Sequence, residues 1–198
     1  MEYCGDVLMS KTLLIMGAGG HGKAVADAAL LGGEWQKVVF VDDCWPEVRT
    51  AAGWPIIAST TGIKSAVSQA DAALAAVGSN VIRERWLQAL KLLGIPLAIV
   101  IHPSAVVSSG AAIGVGTTVM AQTLIGVGVV LGKGCIVNAG AVVDHDGILG
   151  DFSHLGVGVQ LSGGVRIGAR AWLQAGSCAG YNVVVPDSSV HTPGSVLV

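Results

Sequence analysis

An aliphatic residue returns at every sixth position from Ile101 to Val185 without a slip, and this period constrains the fold more than any other feature of the chain. The anchors are Ile101, Val107, Ile113, Val119, Ile125, Leu131, Val137, Val143, Leu149, Leu155, Leu161, Ile167, Leu173, Ala179 and Val185. Gly follows the anchor at 114, 126, 132, 150, 156, 168 and 180, and the fourth residue after each anchor is small, from Ala105 and Ala111 through Cys135, Gly147 and Ser153 to Ser189. Such a period fits neither the 3.6 of a helix nor the alternation of a plain strand, and it marks a hexapeptide β-solenoid. Each hexad is one short strand plus a corner, and three hexads close one coil. Coils then stack at about 4.8 Å, the strand spacing. Gly and Asn relieve the corners that need positive φ.

Composition agrees with that architecture and bounds the function. Charged residues are 12% and hydrophobic ones 52%, with 29 glycines among 198 residues. Flat solenoid faces buried against other copies account for so little charge; a lone soluble domain carries about twice as much. A net charge of −2 supplies no field for nucleic acid or an anionic membrane. Mean hydropathy is high at +0.68, yet polar residues interrupt every long apolar run, so no membrane span is expected. The N-terminal MEYCGDVLMS lacks the basic flank and apolar core of a signal peptide, and residues 1–10 read as a disordered leader. Cys4, Cys44, Cys135 and Cys178 show neither CxxC pairing nor zinc spacing. They are expected to be reduced thiols of a cytoplasmic protein, the latter two buried in coils.

Upstream of the solenoid, strand alternates with helix. Residues 11–16 form a strand, 23–31 a helix, 38–41 a strand, 56–57 a short extended piece, 61–69 a short helix, 72–77 a strand and 81–93 a helix. Residues 97–101 then deliver the chain into the first coil. This order predicts a small Rossmann-like parallel α/β domain over 11–101, followed by a solenoid domain over 102–198. Gly17, Gly19 and Gly22 fit GxGxxG spacing, and Asp42 lies 20 residues beyond the last glycine. Such a turn frees N–H groups at a helix N-terminus for a phosphate, and the acid can accept from a ribose or base. One mononucleotide half is too short for a dinucleotide, so a nucleotide diphosphate is the expected ligand. A tight turn holding nothing is the alternative.

Within the solenoid, chemistry gathers in NAGAVVDHDGILGDFSH, from Asn138 to His154. His145 stands between Asp144 and Asp146; a neighbouring carboxylate keeps an imidazole in one tautomer and raises its basicity, as a general base requires. His154 follows nine residues later, half a coil away, and so on nearly the opposite side of the prism. The two could share a site only across an interface between neighbouring prisms, such as a C3 trimer provides. Two surface histidines at corners are the alternative. His102 and His191 read as structural or surface residues.

From Lys11 to about Val185 the chain resembles the left-handed β-helix acetyltransferases that modify nucleotide-activated amino sugars, and the sialic acid O-acetyltransferases similar to them. The resemblance lies in the GAGGHG turn, the VDD after the second strand, GSNVIRERW, HPSAVV, the unbroken hexads and the NAGAVVDHD and GDFSH segments. It implies a left-handed coil, against the usual right-handed crossover, and a homotrimer with sites between neighbouring subunits. It implies acetyl transfer from acetyl-CoA, without a metal, to an amine, typically the C4 amino group of a UDP- or GDP-linked 4-amino-4,6-dideoxy sugar. His145 matches the family's catalytic base, Asp146 the acid beside it and His154 a second histidine lining the site. Gly19, Gly20, His21, Asp42 and Asp43 match the nucleotide-holding part, to which Asn80 and Arg83 also belong. Acetyl-CoA is expected near Asn138, Gly163, Ala175 and Gly176. Direct attack is implied, with a backbone N–H or His154 stabilising the oxyanion; Cys135 has an inward position that leaves no role for an acyl-enzyme.

The chain departs from many relatives at its end, where HTPGSVLV carries no basic residue. Lys133, Arg166 or Arg170 would then meet the 3′-phosphate of CoA. Three other readings stand beside this one: a sugar hydroxyl as acceptor, a γ-carbonic-anhydrase-like metalloenzyme, and a non-catalytic trimeric scaffold that binds nucleotide sugars. The metalloenzyme reading needs a histidine pair five apart plus a third, where this chain has a gap of nine.

Overall fold

A computed structural model describes residues 10–198; the leader, apart from Ser10, and Cys4 lie outside the described residues. The N-terminal sheet has the order β3-β4-β2-β1-β5, built from β1 (Thr12–Met16), β2 (Lys37–Val41), β3 (Thr50–Ala51), β4 (Trp54–Ala58) and β5 (Ala72–Ala75). All pairs are parallel except β3 with β4, an edge hairpin the sequence did not announce. Central strand β1 is covered on both faces, which is why it reads as an apolar run rather than an alternation. Leu13 and Ile15 pack with Val25, Ala26 and Ala29 of α1 (Gly20–Leu31). Leu14 and Met16 pack the other way, with Leu87 and Leu90 of α3 (Asn80–Leu92). Helix α2 (Ile63–Ala66) is flanked by two 3-10 turns over the expected 61–69 segment. Helix α1 begins inside the glycine turn, three residues before its expected start, because Lys23 N–H already bonds Gly19 O at 3.0 Å. Residues 97–99 make one bridge, Leu97 to Ala73, rather than a continuous strand.

Seventeen two-residue strands follow, from β6 (Val100–Ile101) to β22 (Val196–Leu197), each ending on an anchor position. They stack in three parallel sheets. The docking face holds β6, β9 (Thr118–Val119), β12 (Ile136–Val137), β15 (His154–Leu155), β18 (Trp172–Leu173) and β21 (Val190–His191). The second face runs from β7 (Val106–Val107) to β22, and the third from β8 (Ala112–Ile113) to β20 (Val184–Val185). Partners differ by one coil throughout, as in Ile136↔His154 and His154↔Trp172. Coiling continues past Val185: His191 and Leu197 occupy the next two anchor places.

The core follows the period. Anchors such as Val119, Val143, Leu155 and Leu173 are fully buried, and so are the small residues four places on, among them Cys135, Ala141 and Ala171. Polar members of that second row are answered by backbone: Thr117 Oγ1 donates to Gly132 O at 2.8 Å and Ser177 Oγ to Gln174 O at 2.8 Å. Cys178 corrects an expectation: it lies on the outer surface of its strand and is half-buried, not inside the coil.

Glycines divide into two classes that the sequence reading had merged. Those directly after an anchor have no positive φ; they are small because the next coil passes close, a Cβ on Gly126 lying 2.8 Å from His145 N and one on Gly150 2.5 Å from Ala169 N. Positive φ belongs to the third residue after the anchor, at every corner from Gly116 to Gly194. Gly holds eight of those corners, and Gln122, Asp146, Phe152, Arg170, Asn182 and Ser188 hold the rest. A non-glycine there carries roughly 1–2 kcal/mol of strain, so each such side chain must have a local or packing reason.

Arg83 joins the two halves of the protein. It is the largest fully buried side chain. Its Nε donates to Gly134 O at 2.7 Å and its Nη2 to Phe152 O at 2.7 Å and Asn80 Oδ1 at 2.8 Å, while Nη1 reaches Val77 O at 2.9 Å and Gly78 O at 3.3 Å. Asn80 Nδ2 adds a bond to Arg170 O at 2.8 Å. The donors of Arg83 are thus taken by carbonyls of the solenoid and of the head and by Asn80 Oδ1, and the Asn80 amide donates to the solenoid, so neither side chain is disposed in this structure as the expected nucleotide-holding role requires. Phe152 belongs to the same joint, which accounts for a bulky residue at φ +61. No helix among the described residues is long and apolar enough to cross a membrane.

Candidate active site

The far edge of the prism, between the second and third faces and opposite the docking face, carries His145. Its backbone N–H donates to Asp144 Oδ1 at 2.7 Å, and its Nδ1 meets Asp146 Oδ2 at 2.8 Å. Asp146 occupies the left-handed corner position, φ +59, a conformation that short polar side chains tolerate best. The Asp146 hydrogen bond raises the imidazole pKa above its ordinary value, and the charge of Asp144 adds to it. With Nδ1 bound to the carboxylate, Nε2 is the free ring nitrogen. It lies against Gly163, one coil on, where a Cβ would come within 2.5 Å of Nε2. Ser162 N–H and Gly164 N–H bond Ala179 O and His145 O. The Gly163 N–H between them has no partner among the described residues. Two coils above His145 stands Tyr181, ring centroids 6.2 Å apart. Its place follows from a step of 18 along the edge, a signal present in the sequence and overlooked there.

On the docking face, His154 is buried at 7% exposure, stacked on Trp172 at 5.3 Å. Its Nδ1 is 3.3 Å from Gly78 O. A carbonyl only accepts, so Nδ1 carries the hydrogen and Nε2 is an acceptor. Burial, reinforced by the positive charge of Arg83, pushes its pKa down to about 3. Neutral and in that tautomer, His154 presents Nε2 as an acceptor, which favours the backbone N–H of the two expected oxyanion donors. His21, half-buried on α1, has Nε2 3.5 Å from Thr118 Oγ1, and burial followed by Arg83 lowers its pKa to about 4. Within one chain, His145 and His154 thus face away from each other.

The glycine turn is shaped by two different demands. Gly17 has φ +102, and a Cβ on Gly22 would strike Gly17 O, so both are required by packing. Gly19 and Gly20 have open space where a Cβ would stand; packing does not ask for glycine there, and the bare backbone is left to whatever approaches the helix. Among the described residues no side chain caps α1, and no acid sits in its first turn. Asp42 braces the turn, accepting from Ala18 N at 2.8 Å and Cys44 N at 3.0 Å. Burial would lift its pKa, but those N–H groups outweigh it and hold the carboxyl below its ordinary value. Asp43 accepts from Thr60 N at 2.8 Å and Thr60 Oγ1 at 2.6 Å.

The remaining predicted residues fall on other edges. Asn138 turns the corner after β12, its Oδ1 accepting from Ala139 N at 2.9 Å. Ala175 and Gly176 are exposed on the corner after β18, with Gly176 at φ +69. Arg166 projects from the third face, and Lys133 and Arg170 from the edge between the third and docking faces, with Arg170 3.4 Å from Glu84. Among the described residues no three His, Cys, Asp or Glu side chains are grouped as a metal site would need.

A hexapeptide prism that bears a small α/β head and a histidine–carboxylate pair on its bare edge has the make-up of a β-helix acyltransferase. Comparison with known proteins places the chain within that class. Residues 12–90 match the PglD N-terminal domain family. The acetyltransferase domain of PglB from Neisseria gonorrhoeae superposes with a TM-score of 0.90 at 38% identity, covering 96% of this chain and 92% of that one. The same domain in complex with acetyl coenzyme A gives 0.78 at 36% identity, over 91% and 95%. PerB from Caulobacter crescentus, in complex with CoA and GDP-perosamine, gives 0.86 at 32% identity, over 94% and 88%. The chain belongs to the left-handed β-helix nucleotide-sugar N-acetyltransferase family, and it is an acetyltransferase that takes its acetyl group from acetyl-CoA.

Proposed function

We propose that the chain acetylates the C4 amino group of a nucleotide-linked 4-amino-4,6-dideoxy sugar, with His145 as general base, in a site completed by a neighbouring copy of a homotrimer. The observation that carries the chemistry is His145 Nε2 against Gly163, whose N–H, like Nε2, has no partner among the described residues. The amine attacks the thioester carbonyl carbon and passes its proton to Nε2 as the C–N bond forms. Asp146 supports the imidazolium, and the Gly163 N–H receives the oxyanion, the kind of contact that usually supplies the larger share of rate. Collapse breaks the C–S bond, and the CoA thiolate takes the proton from the imidazolium. The complex of PerB with CoA and GDP-perosamine supports the acceptor class.

The nucleotide is assigned to the head, with its phosphates on the uncapped N-terminus of α1 at Gly19 and Gly20, and with His21 and His154 as neutral acceptors beside the sugar. In one chain the head covers the docking face and His145 lies on the opposite edge, so the sugar held by one copy reaches the base of another. Exposed aliphatic residues on the two uncovered faces support burial between copies: Val106 and Leu124 on the second, Val130 and Val184 on the third.

Thiol release from acetyl-CoA, with UDP- and GDP-linked 4-amino-4,6-dideoxyhexoses and with sialic acid as acceptors, tests the reading. An amino sugar should be acetylated in preference to sialic acid, and His145→Ala should lose about 10²-fold or more in kcat. Near-full turnover of His145→Ala would remove His145 as the base. Co-assembly of His145→Ala chains with Gly19→Trp chains, each inactive alone, should restore part of the activity if the site is shared; no restoration would count against a shared site.

A further inference from the structure

His145, Gly163 and Tyr181 form one ladder along the far edge, one residue per coil. A Cβ on Gly163 would lie 2.5 Å from His145 Nε2 and 2.9 Å from Tyr181 Cε2. Only glycine between them lets the two rings close over the same piece of backbone. The neighbouring ladder repeats the pattern, with Asp146, Gly164 and Asn182: Asn182 Oδ1 overhangs Gly164, and Asn182 N–H donates to Gly163 O at 3.0 Å, which holds the corner bearing Tyr181. Two bare glycines therefore lie between two pairs of larger side chains. The result is a slot with His145 and Asp146 as its floor, Gly163 and Gly164 as its wall and Tyr181 as its roof. Its height is small. The ring centroids are 6.2 Å apart and inclined at 53°, close to the contact range of about 4.5–7 Å for aromatic pairs.

We propose that Tyr181 is a specificity-determining residue whose ring limits the acyl group to about the size of acetyl. A thioester carbonyl directed at the Gly163 N–H places its acyl carbons beneath the tyrosine. The two rings leave no room for a carbon directly between them, so an acetyl methyl passes at the edge of the tyrosine ring, whereas a longer straight chain must displace it. The inference rests on the assignment of this edge to the thioester under Proposed function. Tyr181 is 67% exposed and belongs to neither the solenoid core nor the head's two clusters, so its replacement leaves the fold intact.

Calorimetric titration of the whole protein with acetyl-CoA, butyryl-CoA and free CoA reads the slot without any sugar acceptor. Its outcome is therefore separate from that of the amino-sugar assay. The unaltered chain should bind acetyl-CoA about 10-fold or more tighter than butyryl-CoA, Tyr181→Ala should bring the two within about 2-fold, and Tyr181→Phe should keep the original ratio. Val127→Ala, on the same edge one coil below His145, should also leave the ratio unchanged. A ratio that Tyr181→Ala does not alter would overturn the proposal. So would an equal loss of affinity for all three ligands, which would place the ring on the pantetheine arm instead.

Discussion

Replacing Arg83 by methionine keeps an unbranched side chain and, while leaving the hydrogen bonds of Asn80 and His154 in place, removes those of the guanidinium across the domain joint. Two of those bonds, to Gly134 O and Phe152 O, are fully buried on the solenoid side. Each stranded carbonyl costs about 1–3 kcal/mol, whereas Val77 O and Gly78 O are only partly buried and can turn to water. Against this stands a gain. The guanidinium has no carboxylate partner among the described residues, and burial holds its pKa down to about 10; removing such a buried charge returns part of its desolvation penalty. The net loss should be about 2–5 kcal/mol, felt at the joint rather than inside either core.

Four of the five tryptophans, Trp35, Trp45, Trp54 and Trp86, lie in the head, whereas most of the strands lie in the solenoid. Urea unfolding followed by tryptophan fluorescence and by far-ultraviolet circular dichroism should coincide in the unaltered chain. In Arg83→Met the fluorescence midpoint should fall below the dichroism midpoint as the head undocks first. Arg83→Lys should lie between, since an ammonium cannot reach carbonyls on both sides in one plane. Histidine ¹⁵N spectra should show the His154 pKa rising when the charge of Arg83 is removed. Coincident transitions within about 1 kcal/mol of the unaltered chain would refute Arg83 as the joint's fastening.

Gly163→Ala has no positive φ to resist it, so the variant should fold, but its methyl displaces the imidazole, and kcat should fall about 10²-fold with little change in Tm; undiminished kcat would show that Nε2 does not act from this position. Asp146→Asn removes the main cause of the raised His145 pKa, so the rise of kcat with pH, which follows deprotonation of the base, should move to lower pH while the plateau drops; a pH profile left in place would argue against the pair. His154 takes a proton at about 6.5 when unfolded and only at about 3 when folded. Stability is therefore full above the first value and declines as pH falls below it, by about 1.4 kcal/mol at pH 5.5. His154→Gln should flatten that part of the Tm–pH curve, and an unchanged slope would contradict neutral burial.

How much of this was legible in the sequence depended on repetition. The strands, their inward rows and the half-coil separation of His145 from His154 follow from the period, because each coil votes again for the same register. The left-handed corners were misread because glycine serves two needs. At Gly126 and Gly150 it makes room for the next coil, while at Gly128 and Gly164 it supplies positive φ. Spacing from the anchor separates the two, and composition does not. The joint was not legible at all. Arg83 meets Gly134 and Phe152 across 51 and 69 residues of chain and only once, and backbone acceptors leave no trace in side-chain identity. The resemblance assigned this arginine to a ligand, whereas carbonyls of the solenoid and of its own domain occupy its donors.

The site has the same division. The identity of His145 and of its carboxylate neighbour could be read from three adjacent letters, but the residues that decide what the histidine can do are one and two coils away. A solenoid converts distance in space into multiples of 18 in sequence, so Gly163 and Tyr181 are neighbours of His145 for the same reason that Trp172 and Ile136 are neighbours of His154. This conversion ends at the surface of the prism. What faces His145 across solvent has no register with it, and the opposite placement of the two histidines means that adding further coils to one chain cannot bring them together. In the proposed shared site, a second copy, rotated so that its docking face meets this edge, supplies the other half. On that reading the symmetry of the assembly sets the catalytic unit, while the chain itself fixes the His145–Asp146 pair, the backbone of Gly163 beside it and the tyrosine above them.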